Sequence, residues 1–302
     1  RRRQTHARPQ TVGELVQHGA TRFKAMRLTF GHGTTNAHDE AAYLALHALK
    51  LPLAQLEPHL GLRPTRRQIA NVVRLFERRI RERKPAAYIT REAWLGDFRF
   101  YVDERAIVPR SYIAELLRDD LAPWIAKPEN VRAALDLCAG SGCLAVLLAH
   151  SFPRATIDAA DISRDALKVA RRNVADYALQ SRIRLIESDL FAALAGRRYD
   201  LIVSNPPYVR TAIMRHLPRE HRHEPRLALA GGSDGLDALR IILSEAAAHL
   251  NPGGLLIVEV GHNRSRVERA FPRLAFTWPN TGGGDDCVFL LYRDPLSSLS
   301  HP

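Results

Sequence analysis

The segment "AALDLCAGSGCLAVLLAHSFPRATIDAADI", residues 133–162, decides the fold class of this chain. An apolar run ends at a glycine pair, an apolar segment of helix length follows, and a second apolar run ends at Asp161. The same alternation continues to the run "GLLIVEV" at residues 254–260. Strands that alternate with helices predict a mostly parallel sheet with helices on both faces. The residues therefore predict an α/β fold.

Length and composition narrow the class further. The chain has 302 residues and 46% hydrophobic content, enough for a large core and about two domains. It contains no apolar run of about 18 residues, so a membrane span is not expected. The basic segment "RRRQTHARPQ" at the start is interpreted as a solvated tail.

The cysteines and histidines do not form a metal-binding pattern. Cys138, Cys143 and Cys287 are widely spaced and include no CxxC pair, and no group of histidines matches a zinc-ligand spacing. We therefore expect neither a disulfide framework nor a metal site, and we expect a cytoplasmic protein.

The net charge of +12 favours a polyanionic partner such as RNA. Nearly all of the basic residues are arginine, however, and a genome-wide coding bias would produce the same charge without any such partner. Both interpretations stay open at the level of sequence.

The first 84 residues predict a small helical domain for substrate recognition. Apolar residues at spacings of three and four give the first helix its inner face: Val12, Leu15, Val16, Gly19, Phe23 and Met26. A second helix is predicted to begin near Asn36, and a third at Thr65, capped with the help of Gln68. Four arginines are assigned to the outer side of the third helix: Arg78, Arg79, Arg81 and Arg83.

Residues 85–302 are predicted to form a hairpin linker and the sheet domain. Trp94, Phe98, Phe100 and Val102 alternate around a central Gly-Asp pair, which is typical of a β-hairpin. The last two apolar runs, "LAFTWP" and "CVFLLYR", are expected to close the sheet as an antiparallel pair.

The first strand end predicts a cofactor site. Ligands of such sheets bind at the carboxyl ends of the strands, where Gly140 and Gly142 allow close approach of the backbone. The loop lacks the Lys-Ser/Thr pair of a nucleotide-triphosphate loop. The carboxylate of Asp136 would repel a pyrophosphate but suits a cationic amine. This favours S-adenosylmethionine over a nicotinamide dinucleotide.

Two further acids follow the next two strands. Asp161, about 20 residues beyond the glycines, is placed to bond ribose hydroxyls. Asp189 can accept from an adenine amine, with Leu190 and Phe191 flanking the ring. Each acid alone also fits a helix cap or a turn. Acids at three successive strand ends favour the cofactor site.

The segment "SNPPYV" at residues 204–209 predicts the catalytic corner. The side-chain oxygen of Asn205 and the carbonyl of Pro206 are two fixed acceptors that can grip an –NH2 group by both hydrogens. That grip would aim the nitrogen lone pair at a methyl donor. Pro207 stiffens the loop on the substrate side, and Tyr208 can lie flat against a planar amide or base. An ordinary Asn-Pro turn is the alternative.

Five blocks in chain order resemble the HemK/PrmC family of protein glutamine methyltransferases: "DLCAGSGCLAVLLA", "ADISRDALKVARRN", "SDLF", "SNPPYV" and "HEPRLALAGGSDGL". The resemblance implies a helical N-terminal domain, a hairpin linker and a Rossmann-like, seven-stranded class I methyltransferase domain. It implies Asn205, Pro206 and Tyr208 on the substrate amide, and it also points to Glu224 and Arg110 at the substrate mouth.

Two segments resemble the PrmB branch: "FGHGTTNAHDEAAYLALHALKLPL" at residues 30–53 and "VPRSYIAELL" at 108–117. That resemblance implies methylation of a glutamine side chain in the third protein of the large ribosomal subunit, with rRNA or an assembling particle as a further candidate partner. Tyr112 and the pair Asp286-Cys287 depart from the usual pattern of the branch. The alternatives are a release-factor glutamine methyltransferase, an adenine amino-methyltransferase on nucleic acid, and a non-catalytic RNA-binding protein on the same fold.

Overall fold

The computed structural model describes residues 9–53 and 55–297, so most of the predicted N-terminal tail lies outside the described residues. The chain divides into two compact units. The first contains the residues up to Glu92 together with Pro218–His223, and the second contains the remainder. Packing groups the short helix at 86–90 with the first unit. The predicted functional division of the chain after residue 84 stays a prediction.

The first unit is helical. Its α-helices are α1 Val12–Ala25, α2 Ala37–Leu49, α3 Arg66–Glu82 and α4 Ala86–Thr90. The predicted helix starts are confirmed: Asn36 caps α2, and Thr65 and Gln68 form both hydrogen bonds of a capping box on α3. Thr11 and Glu14 cap α1 in the same way. The inner faces of α1, α2 and α3 share one apolar core.

Two assignments in this unit were wrong. Arg79 was placed on the outer face of α3 but is fully buried, where its guanidinium contacts Glu40 at 2.7 Å and Glu220 at 3.5 Å. Periodicity misses such a residue because a buried cation depends on partners that are distant in sequence. Met26 was placed on the inner face of α1, but it follows the last helical turn as the C-cap and is 50% exposed.

The second unit is built on a six-stranded sheet. A hairpin of β1 Ala93–Leu95 and β2 Phe98–Phe100 precedes it, as predicted. The sheet strands are β3 Ala133–Leu137, β4 Thr156–Asp161, β5 Ile183–Glu187, β6 Tyr199–Ser204, β7 Leu250–Glu259 and β8 Val288–Tyr292. Their order is β5-β4-β3-β6-β7-β8, and only β8 runs antiparallel to its neighbour.

Helices cover both faces of this sheet. They are α5 Ile113–Arg118, α6 Cys143–Ser151, α7 Arg164–Asp176, α8 Thr211–Met214, α9 Asp237–His249, α10 Arg264–Ala270 and α11 Arg293–Ser297. Two apolar cores, one on each side of the sheet, hold the helices in place. Among the described residues, no helix is long and apolar enough to cross a membrane.

The edge of the sheet differs from the seven strands expected. The antiparallel partner of β8 is β7, and the segment "LAFTWP" contributes only a bridge between Thr277 and Leu290. Pro272 lies two residues before that segment and Pro279 is its last residue, and a proline cannot donate to a ladder. The seventh strand is therefore reduced to one pair.

The order of the strands brings the loops that follow β3, β4, β5 and β6 to one edge of the sheet. β3 lies between β4 and β6, so the chain runs to one side of the sheet after β3 and to the other side after β5. The loops after β3, β4, β5 and β6 meet at the carboxyl edge near this reversal. Open α/β sheets bind ligands in the crevice at such a point.

Candidate active site

A cavity of about 270 Å³ lies at this carboxyl edge. It brings together the predicted residues Gly140, Asp161, Asp189, Asn205 and Pro207. The predicted Leu190 also lines it, together with apolar residues that sequence reasoning missed: Ile107, Ile162, Leu227 and Ile241. A sequence signal existed for one of these, because Ile162 is apolar and directly follows Asp161 at the end of a strand. In the structure its side chain is 47% exposed.

The loop after β3 is fixed on the acid that ends β4. The backbone N–H of Gly140 donates to Asp161 Oδ2 at 2.7 Å, and the N–H of Ser163 donates to Oδ1 at 2.7 Å. Burial raises the pKa of Asp161, while these two bonds lower it. Gly142 has φ +73, and an added Cβ would lie 3.0 Å from Ala170 Cβ on α7. Gly142 thus serves close helix packing and does not line the cavity.

Asp136 lies beneath that loop and is 1% exposed. Its Oδ2 accepts the N–H of Ala145 at 2.8 Å, whereas Oδ1 is buried with no partner among the described residues. Burial raises the pKa of this carboxyl to about 7. An orphaned buried oxygen of this kind calls for a donor.

Phe191 lies elsewhere than predicted. Its ring stacks on His249 at 4.5 Å and is buried in the core, whereas the neighbouring Leu190 lines the cavity. Leu190 has φ 45, so the turn sends consecutive side chains in different directions. Of the two residues predicted to flank the ligand, Leu190 lines the cavity and Phe191 does not.

The corner after β6 holds Asn205 by its amide group. The hydroxyl of Ser204 donates to the carbonyl of Leu137 at 2.7 Å and ties the end of β6 to β3. The side-chain nitrogen of Asn205 lies 3.5 Å from the carbonyl of Arg110, and the same side chain hydrogen-bonds Glu259. Because acceptors of the protein face the Asn205 nitrogen, its oxygen is left to accept from a ligand.

Glu259 is a buried acid beside this corner that sequence reasoning missed. It ends β7, is 3% exposed, and accepts the hydroxyl of Ser111 at 2.6 Å and the N–H of Tyr112 at 2.9 Å. Burial raises the pKa of Glu259, and its bonds to Ser111, Tyr112 and Asn205 lower it. An acid that ends the apolar run "GLLIVEV" was the available signal.

Two glycines make room for the other side of the corner. A Cβ on Gly261 would lie 2.8 Å from Tyr208 Cε2, and one on Gly231 would lie 2.7 Å from the carbonyl oxygen of Pro207. Burial raises the pKa of the Tyr208 hydroxyl. The tyrosine therefore stays neutral at physiological pH. Pro206 is buried.

Arg110 and Glu224 bind each other. Arg110 Nη2 donates to Glu224 Oε2 at 2.8 Å, and Glu224 Oε1 also accepts the N–H of Val108 at 3.1 Å. The carboxylate of Glu224 is thus engaged within the protein, and it holds the loop that carries Arg110. The sequence named both residues at the substrate mouth, and the structure brings them together.

Several proteins are similar in sequence to this chain over nearly its whole length. A protein from Neisseria meningitidis serogroup B, called ribosomal protein uL3 glutamine methyltransferase, is 56% identical over 95% of this chain and 94% of its own length. A Bordetella pertussis protein of the same description is 51% identical over 96% and 97%. The chain belongs to the ribosomal protein uL3 glutamine methyltransferase family.

A family model and a solved structure concern the methyltransferase domain and its fold. Residues 120–217 match the model described as methyltransferase small domain. The hMettl16 catalytic domain, crystallised with MAT2A 3'UTR hairpin 1, superposes with a TM-score of 0.51 at 13% identity, over 84% of this chain and 90% of that chain. This likeness concerns the fold alone. The predicted class I methyltransferase fold and the predicted resemblance to protein glutamine methyltransferases are confirmed.

Proposed function

We propose that this protein methylates the side-chain amide nitrogen of a glutamine in ribosomal protein uL3, with S-adenosylmethionine as the methyl donor. One observation carries the proposal. Asn205 lines the same cavity as Asp161 and Asp189, in a chain 56% identical to a relative named for this reaction.

The residues of the cavity fit the methyl donor. Asp161 would accept from ribose hydroxyls, Asp189 from the adenine amine, and Ile162 and Leu190 would cover the ring. The orphaned oxygen of Asp136 would offset the charge of the amino-acid ammonium, directly or through water. When bound, S-adenosylmethionine supplies an electrophilic methyl group on sulfur.

The corner supplies the chemistry toward the glutamine. The Asn205 oxygen and the Pro206 carbonyl would each accept one hydrogen of the carboxamide, which orients the nitrogen lone pair toward the donor. The same two oxygens stabilise the positive charge that develops on that nitrogen. Pro207 and the neutral Tyr208 ring would pack against the planar amide. No base is needed before attack, because the extra proton becomes acidic only after methylation.

Substrate and surroundings follow from this reaction. We propose the cytoplasm as its location, in keeping with the three free cysteines. Ribosomal proteins are themselves usually basic, so a chain of charge +12 gains no electrostatic attraction toward free uL3. We propose that rRNA or an assembling particle takes part in recognition.

An acceptor panel tests the substrate class. The purified protein and labelled S-adenosylmethionine would be incubated separately with uL3, a release factor and adenine-containing oligonucleotides. We expect label in uL3 only, located on a glutamine by peptide mass spectrometry. Label in the oligonucleotides but in neither protein would replace this function with adenine methylation.

A further inference from the structure

The outer face of α3 carries a ridge of positive charge. Positions 67, 71, 74, 78 and 81 follow spacings of four and three, so they share one face of the helix. They are occupied by Arg67, Asn71, Arg74, Arg78 and Arg81. We call the four arginines the arginine ridge. Arg67, Arg74 and Arg81 are exposed and lie about 10 Å apart in succession along the helix axis.

Part of this charge has no acidic partner among the residues that the structure describes. Arg78 and Arg81 share the carboxylate of Glu82, at 3.0 and 3.6 Å. Arg67 and Arg74 form no ion pair with any residue of 9–53 or 55–297. The other acid of α3, Glu77, pairs with Arg22 of α1. The ridge therefore presents excess positive charge to solvent.

The position of Arg67 opposes stability. Arg66 and Arg67 lie in the first turn of α3, which contains no acid. The helix dipole disfavours cations in a first turn, typically by about 0.3–1 kcal/mol each. Selection for helix stability alone would favour acids at these positions. Binding of an external anion explains the two arginines, whereas the stability of the helix does not.

The chemistry of the ridge fits the phosphate backbone of RNA. Guanidinium groups bind phosphate oxygens through paired hydrogen bonds. Protein interfaces centre on apolar and aromatic residues, and the ridge positions contain none. Interfaces with nucleic acid are polar and strongly positive.

We infer that the arginine ridge binds RNA phosphates and so brings the enzyme to uL3 that is already associated with rRNA. This inference rests on the proposed function and names a second component of its substrate. The ridge contributes affinity without reading sequence, because phosphate contacts carry no base information.

Binding of purified large-subunit rRNA to the full-length protein tests the inference. The dissociation constant would be measured at several salt concentrations for the wild type and for Arg67→Gln/Arg74→Gln. We expect the affinity for rRNA to fall about tenfold near physiological salt. The slope of log K against log salt should become shallower by about two, roughly one for each phosphate contact that is lost. The melting temperature should stay the same or rise, because Arg67→Gln removes a cation from the first turn of α3 and Arg74 forms no ion pair with a described residue.

A matched control has the same charge change elsewhere. Arg171 and Arg273 are exposed and form no ion pair with a described residue, so Arg171→Gln/Arg273→Gln should change rRNA affinity less than about twofold. An equal loss in this control, or an unchanged slope in the ridge variant, would overturn the inference. So would an equal loss of binding to poly-glutamate, which would assign the ridge to acidic proteins.

Activity separates this inference from the proposed function. The ridge variant should methylate free uL3 at the wild-type rate and the uL3–rRNA complex more slowly. If the wild type methylates neither form, the proposed function fails, whatever the binding assay shows. If the ridge variant methylates both forms at wild-type rates, the ridge has no part in recognition.

Discussion

At the scale of single residues, the orientation of the Asn205 amide depends on Glu259. Glu259→Gln preserves the shape of the side chain but introduces N–H donors beside Asn205 and Ser111, so the amide of Asn205 loses its fixed orientation. We expect kcat for uL3 methylation to fall about 10- to 100-fold, with the affinity for S-adenosylmethionine changed less than about threefold. Steady-state kinetics and calorimetry measure the two quantities.

The control for this variant is Glu268→Gln, at an exposed acid whose partner Arg264 lies one turn away on α10. That variant should leave kcat unchanged. Equal kcat values for Glu259→Gln and the wild type would show that Glu259 does not position the amide.

Asp136 makes a separate prediction, about pH. Its pKa in the folded protein, about 7, lies above the ordinary value of 3.8 because of burial. As pH rises from about 4 to 7, the unfolded chain loses this proton first, so the free energy of unfolding decreases over that window and then levels. The loss is on the order of 4 kcal/mol. Asp136→Asn keeps an acceptor for Ala145 and should lack this loss.

Urea unfolding without cofactor at pH 4, 6 and 8 measures this pH-dependent loss of stability in the wild type and in Asp136→Asn. We expect the free energy of unfolding of Asp136→Asn to increase relative to that of the wild type as pH rises. At pH 4 the variant should be no more stable than the wild type. A stability difference that is the same at all three values would contradict a buried, protonatable Asp136.

At the scale of elements, the loop after β6 depends on a glycine about 25 residues downstream. A Cβ on Gly231 would lie 2.7 Å from both the Pro207 oxygen and Tyr208 Cα, which are backbone atoms that cannot rotate away. Gly231→Ala should therefore displace the corner and lower kcat about 100-fold. In contrast, Gly61→Ala, with no heavy atom within 4 Å of the added carbon, should leave kcat unchanged. Steady-state kinetics of both variants measure these kcat values. Full activity of Gly231→Ala would show that the corner tolerates movement.

The elements also show how far local patterns reach. Periodicity and capping residues predicted α1, the start of α2, the capping box of α3 and the β1–β2 hairpin, because these depend on neighbours in sequence. Strand ends predicted Asp161, Asp189 and Asn205 for the same reason, but not the other hydrophilic side chains of the lining: Arg105, Ser163, Ser188 and Asp237. The direction of Phe191 was missed because it depends on a positive φ at Leu190 and on a core partner, His249.

At the scale of the whole molecule, the features that sequence did not predict join distant residues. Glu220 is fully buried within the first unit, where it accepts the N–H of Thr29 at 3.2 Å and contacts Arg83 at 3.0 Å. The two partners are separated from Glu220 by more than 130 positions, so no local pattern carries the contact. Similarly, Glu259 meets Ser111 and Asn205 only after the sheet has formed.

The most direct test of the account is the intact mass of purified uL3 after incubation with S-adenosylmethionine and either the wild-type protein or Asn205→Ala. We expect the wild type to add the mass of one methylene group to uL3. The variant should add none, although calorimetry should show that it still binds the cofactor. An unchanged uL3 mass with the wild type, or equal methylation by Asn205→Ala, would contradict the claim that this corner captures a glutamine amide for methyl transfer.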